Sequence, residues 1–528
     1  MHKSLTLLLG SCLLAVSNMV QAQALPAHQT SNAWFVEAQT TLQQRLARTS
    51  AASARNVILF VGDGMGISTL TAARILDGQQ QGRSGEEGFL SFERFPYTAL
   101  VKTYNVDSQT PDSAGTMTAM MSGIKTDAGV IGVNENIVRG DCSTEKPNEV
   151  ASLMELAEIR GLSTGVVSTA RITHATPAAA YAKSAERGWE DDSDMPQAAI
   201  DQGCKDIASQ LIEFEELLQN RYPNAGDVNG IEVAMGGGRR HFLPNDAAFN
   251  SSDAAGEIEG DRTDGRNLVT QWQEKYPQGE YVFDQATFDA IDPENTTHLL
   301  GLFNESHMQY EADRGNDIAG EPSLSELTSK AIRVLDNNSN GYFLVVESGR
   351  IDHAHHAGSA HGALHETIEL SNAVQAALDL TNPTETLILV TADHGHVFTI
   401  AGHPKRGNPI LGKVVSVNGD SPALADDGLP YTTLAYANGL GFRNFGLETN
   451  ADASYTVPAA NGRQDLTAVD TTAPGFHQEA LIPLSAETHS SEDIALHASG
   501  PGAFRVGGVI EQNAVFHIID QALGLTAN

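Results

Sequence analysis

Three runs of mostly apolar residues stand out along the chain, and an acidic residue marks the end of each. They are 56–62 before Asp63, 341–346 before Glu347, and 386–392 before Asp393. Continuous rather than alternating hydrophobicity is typical of strands buried on both faces of a parallel sheet. A fourth run, at 165–169, leads toward His174. The pattern therefore predicts at least four central strands.

Segments with helical periodicity lie between these runs, at 150–160, 206–219, 323–336 and 361–380. Strand and helix in alternation predict an α/β fold: a doubly wound, mostly parallel central sheet flanked by helices. Ligands of such sheets bind at the carboxyl ends of the strands. We therefore expect the three strand-final acids to meet at one edge, where they would repel one another and where cations are the usual remedy.

The composition divides the chain into four segments. Residues 1–22 combine a basic residue, a short apolar run and small residues at a cleavage site, which predicts a secretory signal peptide. A lipoprotein signal through Cys12 is the weaker alternative, because apolar sequence continues past that cysteine. The segment 23–396 reads as the α/β catalytic core and 489–528 as a return to it. Between them, 397–488 is rich in Gly, Asn, Ala and Pro and reads as an inserted, crown-like subdomain.

Charge and cysteine content narrow the possible partners and compartments. The chain has 66 acidic and 32 basic residues, a formal net charge of −34. Nucleic acid and anionic membrane surfaces are disfavoured as partners, and a distributed acidic surface suits a salt-rich habitat. No run beyond the signal is long enough to span a bilayer. Two cysteines remain after export, Cys142 and Cys204, which form either one disulfide or two free thiols.

The stretch "RIDHAHHAG" (350–358) carries the densest candidate chemistry in the chain. Asp352 and His356 are four residues apart and share one face if the segment is helical. Carboxylate oxygen and imidazole nitrogen are zinc ligands. His353 and His355 would then point elsewhere. A plain polar loop is the alternative.

Two further motifs add candidates. In "TADHGH" (391–396), Asp393 and His394 follow a strand end, although His394 alone could simply cap a turn. In "DSQTPDSAGTMTAMMSG" (107–123), Ser113 follows Asp112 and opens a helical stretch, where free backbone N–H groups favour phosphate. The alternative for Ser113 is an ordinary N-cap.

Six motifs, in this order, resemble the alkaline phosphatases. They are "VGDGMG" (61–66), "PDSAGT" (111–116), "HATPA" (174–178), "ESGRIDHAHH" (347–356), "TADHGH" (391–396) and "ETHSSED" (487–493). The resemblance spans nearly the whole chain. It is closest to the animal-type branch, whose members have histidine at the two positions that His174 and His353 occupy here. It implies an exported, periplasmic or secreted, usually homodimeric hydrolase of phosphate monoesters with two zinc ions and one magnesium ion per subunit.

The resemblance also implies a role for each matching residue. The implied set is Asp352, His356 and His489 for one zinc; Asp63, Asp393 and His394 for the other, facing the nucleophile Ser113; Asp63, Thr176 and Glu347 for magnesium; Arg187 for gripping phosphate; Asp112, His174 and His353 as supporting groups; and Cys142 with Cys204 as a disulfide. His355 is then a bystander, and His497 a structural residue.

One residue departs from the family pattern, and two alternative functions are kept beside the one that the resemblance implies. Asn304 stands where animal-type members have an acidic ligand for calcium, which puts a fourth metal site in doubt. A related metal-dependent phosphodiesterase or sulfatase would share the metal residues, although a Cys/Ser-x-Pro-x-Arg motif does not surround Ser113. An exported phosphate- or metal-binding protein without turnover is the rival of another class.

Overall fold

A computed structural model describes residues 25–46, 53–226 and 228–526. The predicted signal segment 1–22 and its Cys12 lie outside the described residues. In the part of the chain that is described, no helix is both long enough and apolar enough to cross a membrane.

A ten-stranded mixed sheet forms the centre of the protein, in the order β17-β2-β16-β8-β1-β7-β3-β4-β6-β5. Its strands are β1 Asn56–Gly62, β2 Tyr97–Lys102, β3 Ser163–Arg171, β4 Val233–Gly237, β5 Glu280–Val282, β6 Leu299–Leu302, β7 Tyr342–Ser348, β8 Thr386–Ala392, β16 Ile494–Ser499 and β17 Gly508–Glu511. Smaller sheets contain β9 Gly395–His396, β10 Phe398–Ile400, β11 Leu434–Gly439, β12 Arg443–Asn444, β13 Phe476–His477, β14 Ala480–Pro483 and β15 His489–Ser490.

The four predicted strands lie side by side at the middle of this sheet. β1 pairs in parallel with β7 on one side and β8 on the other, and β7 pairs in parallel with β3. Every residue of β1, β7 and β8 is buried, as continuous hydrophobicity predicts. Only β16, which pairs with both β8 and β2, runs antiparallel to its neighbours. The predicted α/β fold with a mostly parallel sheet is confirmed.

Helices flank the sheet. They are α1 Ala27–Thr30, α2 Ala33–Leu46, α3 Ile67–Gln80, α4 Ser113–Ser122, α5 Glu145–Asn148, α6 Leu153–Ile159, α7 Ala175–Tyr181, α8 Gln197–Asp201, α9 Ile207–Ile212, α10 Phe214–Arg221, α11 Leu268–Lys275, α12 Gln285–Ala290, α13 Leu324–Leu335, α14 Arg350–His356, α15 Ala360–Leu380 and α16 Ala514–Leu523. Short 3-10 turns are Ser91–Arg94, Cys142–Thr144, Asp192–Asp194, Arg239–Phe242, Ala247–Phe249, Arg314–Asn316, Ala451–Thr456 and Ala503–Arg505.

Two predicted helix boundaries differ from the structure. The segment 206–219 is not one helix: it breaks at Glu213, where α9 ends and α10 begins. The segment 150–160 becomes helical only at Leu153, because Ser152 caps the helix with its hydroxyl while Glu155 reaches back to the Ser152 backbone. This reciprocal pair is the capping box, which sets a helix start more sharply than periodicity does.

Cys142 and Cys204 form a disulfide, with Cα atoms 6.0 Å apart. The bond lies beside a small satellite core that includes Val130, Val133 and Trp189, separate from the main core. It ties the loops around this satellite core together, where the sheet provides no support.

A buried pair of acids lies at the edge of the sheet opposite the strand-final acids. Glu232 accepts hydrogen bonds from the Ser163 hydroxyl (3.0 Å) and the Thr164 amide (2.7 Å) at the start of β3. Burial raises the pKa of Glu232 to about 7. Burial, followed by repulsion from Glu232, raises the pKa of Glu158 well above its usual range. Folding therefore favours the protonated forms.

We expect this pair to make the protein lose stability as pH rises. A carboxyl whose pKa is raised on folding contributes its full stabilisation below the pKa of the unfolded chain. This contribution decreases as the pH rises toward the folded pKa, which for Glu232 means between pH 4.5 and about 7. Glu232→Gln should remove a cost on the order of 3 kcal/mol above that window. Calorimetric melting temperatures at pH 5 and pH 9 measure it, with the exposed Glu280→Gln as control. Equal pH dependence in all three proteins would contradict it.

Candidate active site

The three strand-final acids meet at the carboxyl edge of the central strands. The register of β1 sets Gly62 beside Ala392 on β8, so Asp63 and Asp393 follow their strands at the same level, whereas Glu347 on β7 lies beside Val61, two residues before that level. The side chains of all three are 0% exposed. The predicted convergence is therefore present, and it places three carboxylates out of reach of bulk water.

Gly64 allows the chain to turn immediately after Asp63. Its φ of 70° is in the left-handed region that favours glycine, and a Cβ there would lie 2.3 Å from Nε2 of His396. Its amide donates to Oδ1 of Asp393 over 2.9 Å. The tight turn between β1 and α3 thus brings the two carboxylates together.

Asp352, His356 and His489 form the first cluster of ligand-type atoms. The Asp352 Oδ1 lies 3.2 Å from Nε2 of His356 and 3.3 Å from Nε2 of His489, and the two Nε2 atoms are 3.1 Å apart. Nδ1 of His356 donates to the backbone carbonyl of Glu487 over 2.6 Å, and Nδ1 of His489 donates to that of Pro111 over 2.8 Å. These anchors fix both rings so that each directs its Nε2 inward, the arrangement seen in metal-ligating histidines.

Asp63, Asp393 and His394 form the second cluster. The Nε2 of His394 lies 3.4 Å from Asp63 Oδ1 and 3.2 Å from Asp393 Oδ2. The hydroxyl oxygen of Ser113 lies 3.1 Å from the same nitrogen. The His394 ring stacks on that of His489 with centroids 3.6 Å apart, so the first two clusters are neighbours.

A third cluster surrounds Glu347. Ligand-type atoms of Asp63, His174 and Glu347 lie within 4.8 Å of one another. The Ser168 hydroxyl donates to the Glu347 carboxyl. The buried Thr176 hydroxyl faces Glu347 closely enough to oppose, in part, the burial that raises the pKa of that carboxyl to about 8. Asp63 belongs to the second and third clusters and would bridge them.

Several carboxylate oxygens of the second and third clusters lack a hydrogen-bond partner, and this bears on whether cations fit there. Among the described residues, both Asp63 oxygens, Oδ2 of Asp393 and Oε1 of Glu347 are buried without a hydrogen-bond partner. Burial and then repulsion from Asp393 raise the pKa of Asp63 well above its usual range. Buried carboxylates are stable only when paired, protonated or coordinated to metal. Oxygen and imidazole donors in such groups fit zinc and magnesium.

Ser113 begins α4 beside an arginine that is held in place. Asp112 caps the helix by accepting from the Ala114 amide over 3.1 Å, and it also pairs with Arg187. Burial alone would raise the pKa of Asp112. The positive charge of Arg187 and the hydrogen bond from the Gly129 amide outweigh this effect, so the pKa of Asp112 lies below its usual value. The Arg187 guanidinium also donates to Nε2 of His174 over 3.1 Å. Arg187 is thus oriented from two sides.

Two of the predicted accessory histidines have distinct surroundings. His353 lies next to His174, with ring centroids 5.5 Å apart, and Nη1 of Arg350 donates to its Nδ1 over 2.9 Å. His355 points away from the clusters and bonds the Thr69 and Tyr436 hydroxyls at 2.9 and 2.8 Å. Its role is to join α14 to α3 and to β11.

His396 and Glu487 belong to this site but were missing from the predicted set. The Nε2 of His396 donates to Asp352 Oδ1 (2.9 Å) and its Nδ1 to Glu487 Oε2 (2.5 Å). Although burial lowers it, the two carboxylates raise the pKa of His396 to about 10. Both residues stand in quoted motifs, "TADHGH" and "ETHSSED", so a signal was present. His396 fixes the orientation of Asp352 within the first cluster.

A further His/Asp group, away from these clusters, contains Asp191, His241 and Asp261. His241 Nδ1 is 2.5 Å from Asp191, and Arg240 Nε is 3.3 Å from Asp261. Both carboxylates therefore have partners, and we assign no cation there.

Asn304, which stands where animal-type members have an acidic calcium ligand, donates to Asp317 over 3.4 Å.

Comparison with known proteins identifies the family. The model of the alkaline phosphatase family matches residues 54–525. The chain is 43% identical to the tissue-nonspecific alkaline phosphatase of Gallus gallus over 501 residues, 94% of this chain and 90% of that protein. It is 41% identical to the isozyme of Homo sapiens, covering 94% and 89%.

The fold has the same neighbours. The alkaline phosphatase of Thermus thermophilus superposes with a TM-score of 0.62 at 24% identity, over 96% of this chain and 97% of that one. At this level of identity the superposition supports the fold alone. The match to the family model and the sequence alignments with the two relatives include the residues of the candidate site. The chain therefore belongs to the alkaline phosphatase family.

Proposed function

We propose that this protein is an exported alkaline phosphatase that hydrolyses phosphate monoesters through a phosphoserine on Ser113. The observation that carries the proposal is the placement of the Ser113 oxygen, 3.1 Å from His394 Nε2, at the edge of the unpartnered carboxylates. A nucleophile at a helix N-terminus, facing cation-binding groups and an oriented arginine, suits a phosphoryl group. The second, remote candidate, a binding protein without turnover, does not account for a hydroxyl at this point.

Three cations fit the three clusters. Zinc would be held by Asp352, His356 and His489 in the first cluster, and by Asp63, Asp393 and His394 in the second. Magnesium would be held by Asp63, Thr176 and Glu347. When bound, such ions stabilise charge on phosphoryl oxygens and lower the pKa of a hydroxyl or water.

The residues of the chain position the substrate and form the new bond. Arg187 offers a planar pair of N–H donors to two phosphoryl oxygens, and Asp112 keeps that plane fixed. The Ser113 hydroxyl gives its proton to solvent, its oxygen forms a bond to phosphorus while the bond to the departing alkoxide breaks in line, and the alkoxide takes a proton from water. Water then hydrolyses the phosphoserine and releases inorganic phosphate. Because the attacking hydroxyl must lose its proton, we expect the rate to increase toward alkaline pH.

Homodimerisation, export to a periplasm or beyond the cell, and salt adaptation remain part of the proposal. An exposed apolar strand supports the dimer, since Leu481 and Ile482 of β14 are 81% and 53% exposed. Exposed apolar patches of this kind mark interaction surfaces. The 66 acidic residues support a salt-rich habitat.

Turnover of three aryl esters tests the proposed reaction. We expect kcat/KM for an aryl phosphate monoester to exceed the values for the matching diester and sulfate by at least about 10³-fold, because the site offers donors for a dianionic phosphoryl group. The comparison is made across pH 6 to 10 on the metal-loaded protein. Equal or higher turnover of the diester or sulfate would favour the rival enzyme classes, and phosphate binding with no turnover would favour the binding protein.

A further inference from the structure

The inserted segment 397–488 holds both ends of α14, the helix that carries Asp352 and His356. At its start, Asp452 accepts from Nη2 of Arg350 over 2.9 Å. Beyond its end, the backbone carbonyl of Ala357 accepts from the Ser454 hydroxyl (3.1 Å) and from Nδ1 of His477 (2.8 Å). The helix is therefore fixed from the insertion rather than from the sheet alone.

Arg350 is the most constrained residue among those that make these contacts. It is buried (5% exposed), and the centre of its guanidinium group lies 3.7 Å above the ring of Tyr310. The Asp452 carboxylate closes the arrangement, accepting from the Tyr310 hydroxyl over 2.6 Å with Oδ1 and from Arg350 with Oδ2. A planar guanidinium that is stacked and ion-paired in this way has one orientation.

That orientation determines which nitrogen of His353 carries a proton. Arginine only donates hydrogen bonds, so the Nδ1 that faces Nη1 of Arg350 at 2.9 Å must accept. A neutral imidazole then has its proton on Nε2. No hydrogen bond among the described residues reaches that Nε2. The His353 ring lies against the rings of His307 and His174, with centroids 4.1 and 5.5 Å away, and His174 in turn receives a hydrogen bond from Arg187. His353, which carries this free N–H, is therefore separated from Arg187 by one imidazole ring.

We propose that Asp452 is a positioning residue for phosphate binding: through Arg350 it fixes His353 as an N–H donor one imidazole ring away from Arg187. The role rests on the function proposed above, and it gives the insertion a part in the site. It follows that the ligand concerned is the phosphoryl group of the substrate and the inorganic phosphate product. Removing Asp452 should weaken both without changing the metal content.

Asp452→Ala tests this role in the metal-loaded, full-length protein. We expect KM for an aryl phosphate and the inhibition constant of inorganic phosphate to rise together by about tenfold, the value of one hydrogen bond to a charged group. We expect kcat to stay within about threefold and zinc and magnesium content to stay at the wild-type level. Asp452→Asn should recover most of the affinity, since an amide can accept from Arg350 and donate to the Tyr310 hydroxyl.

Tyr310→Phe is the matched control, because it removes the other hydrogen bond to Asp452 and leaves the bond to Arg350. The proposal is overturned if Asp452→Ala raises the two constants no more than Tyr310→Phe does. If Asp452→Ala does not fold, Arg350→Lys decides, since a single ammonium cannot reach both Asp452 and His353; wild-type phosphate inhibition in that variant would equally overturn the role. A wild-type protein that does not turn over the aryl phosphate refutes the proposed function instead.

Discussion

Ser113→Ala is expected to reduce phosphate-monoester turnover by at least about 10⁴-fold, because it removes the atom that forms the bond to phosphorus. Inorganic phosphate should still bind, since Arg187, its partner Asp112 and the cation-binding residues are untouched. Ser113 is 2% exposed and alanine fits its position, so the fold should persist. Steady-state kinetics measure the loss, and ³²P labelling from phosphate at acid pH should mark the wild type only.

Ser122→Ala is the matched control for that variant. Ser122 is a buried serine of the same helix that donates to the Thr118 carbonyl over 2.6 Å. It makes no contact with the three clusters, so activity should be retained. If Ser113→Ala kept more than about 1% of the wild-type rate, Ser113 would not be the nucleophile.

Removal of metal is expected to abolish turnover, to below about 0.1% of the starting rate, and zinc followed by magnesium should restore it. The second and third clusters contain buried carboxylate oxygens without a hydrogen-bond partner, and burial raises the pKa of Glu347 to about 8. The metal-free site therefore holds protons at neutral pH, and these must leave when cations bind. Metal content per subunit, rate and proton release are followed together during chelation and refilling.

Each cation alone provides a comparison. Magnesium without zinc should leave the protein inactive, because the first two clusters contain the imidazole ligands that zinc prefers. Zinc alone should restore part of the rate. A fully active protein free of metal, or refilling without release of protons, would refute the assignment of these clusters.

The central part of the fold could be predicted because its strands have a one-dimensional signal. A strand buried on both faces must be apolar throughout, so β1, β7 and β8 were recognisable, and their shared direction placed Asp63, Glu347 and Asp393 at one edge. Helix boundaries were less certain. The break at Glu213 depends on how α9 and α10 pack, which local periodicity does not record.

Candidate site residues could be predicted where they occur in short motifs and not where they depend on tertiary contact. His396 stood within a quoted motif, yet nothing in the spacing distinguishes a residue that holds Asp352 from one that faces solvent. Asp452 had no signal at all, since it lies in a loop-rich segment and acts through Arg350, far away in sequence. Such contacts are decided by packing between segments.

His489 completes the first cluster from β15, which pairs with β9 just beyond the end of the central β8. Its partners are Asp352 and His356, and the adjoining second cluster includes Asp63, near the other end of the chain. Synthesis must therefore be almost finished before the first cluster is complete, and a chain that ends before residue 489 lacks one of its three ligand-type side chains. Contacts of such long sequence separation form slowly, so supplying zinc should speed the last stage of refolding more than the first.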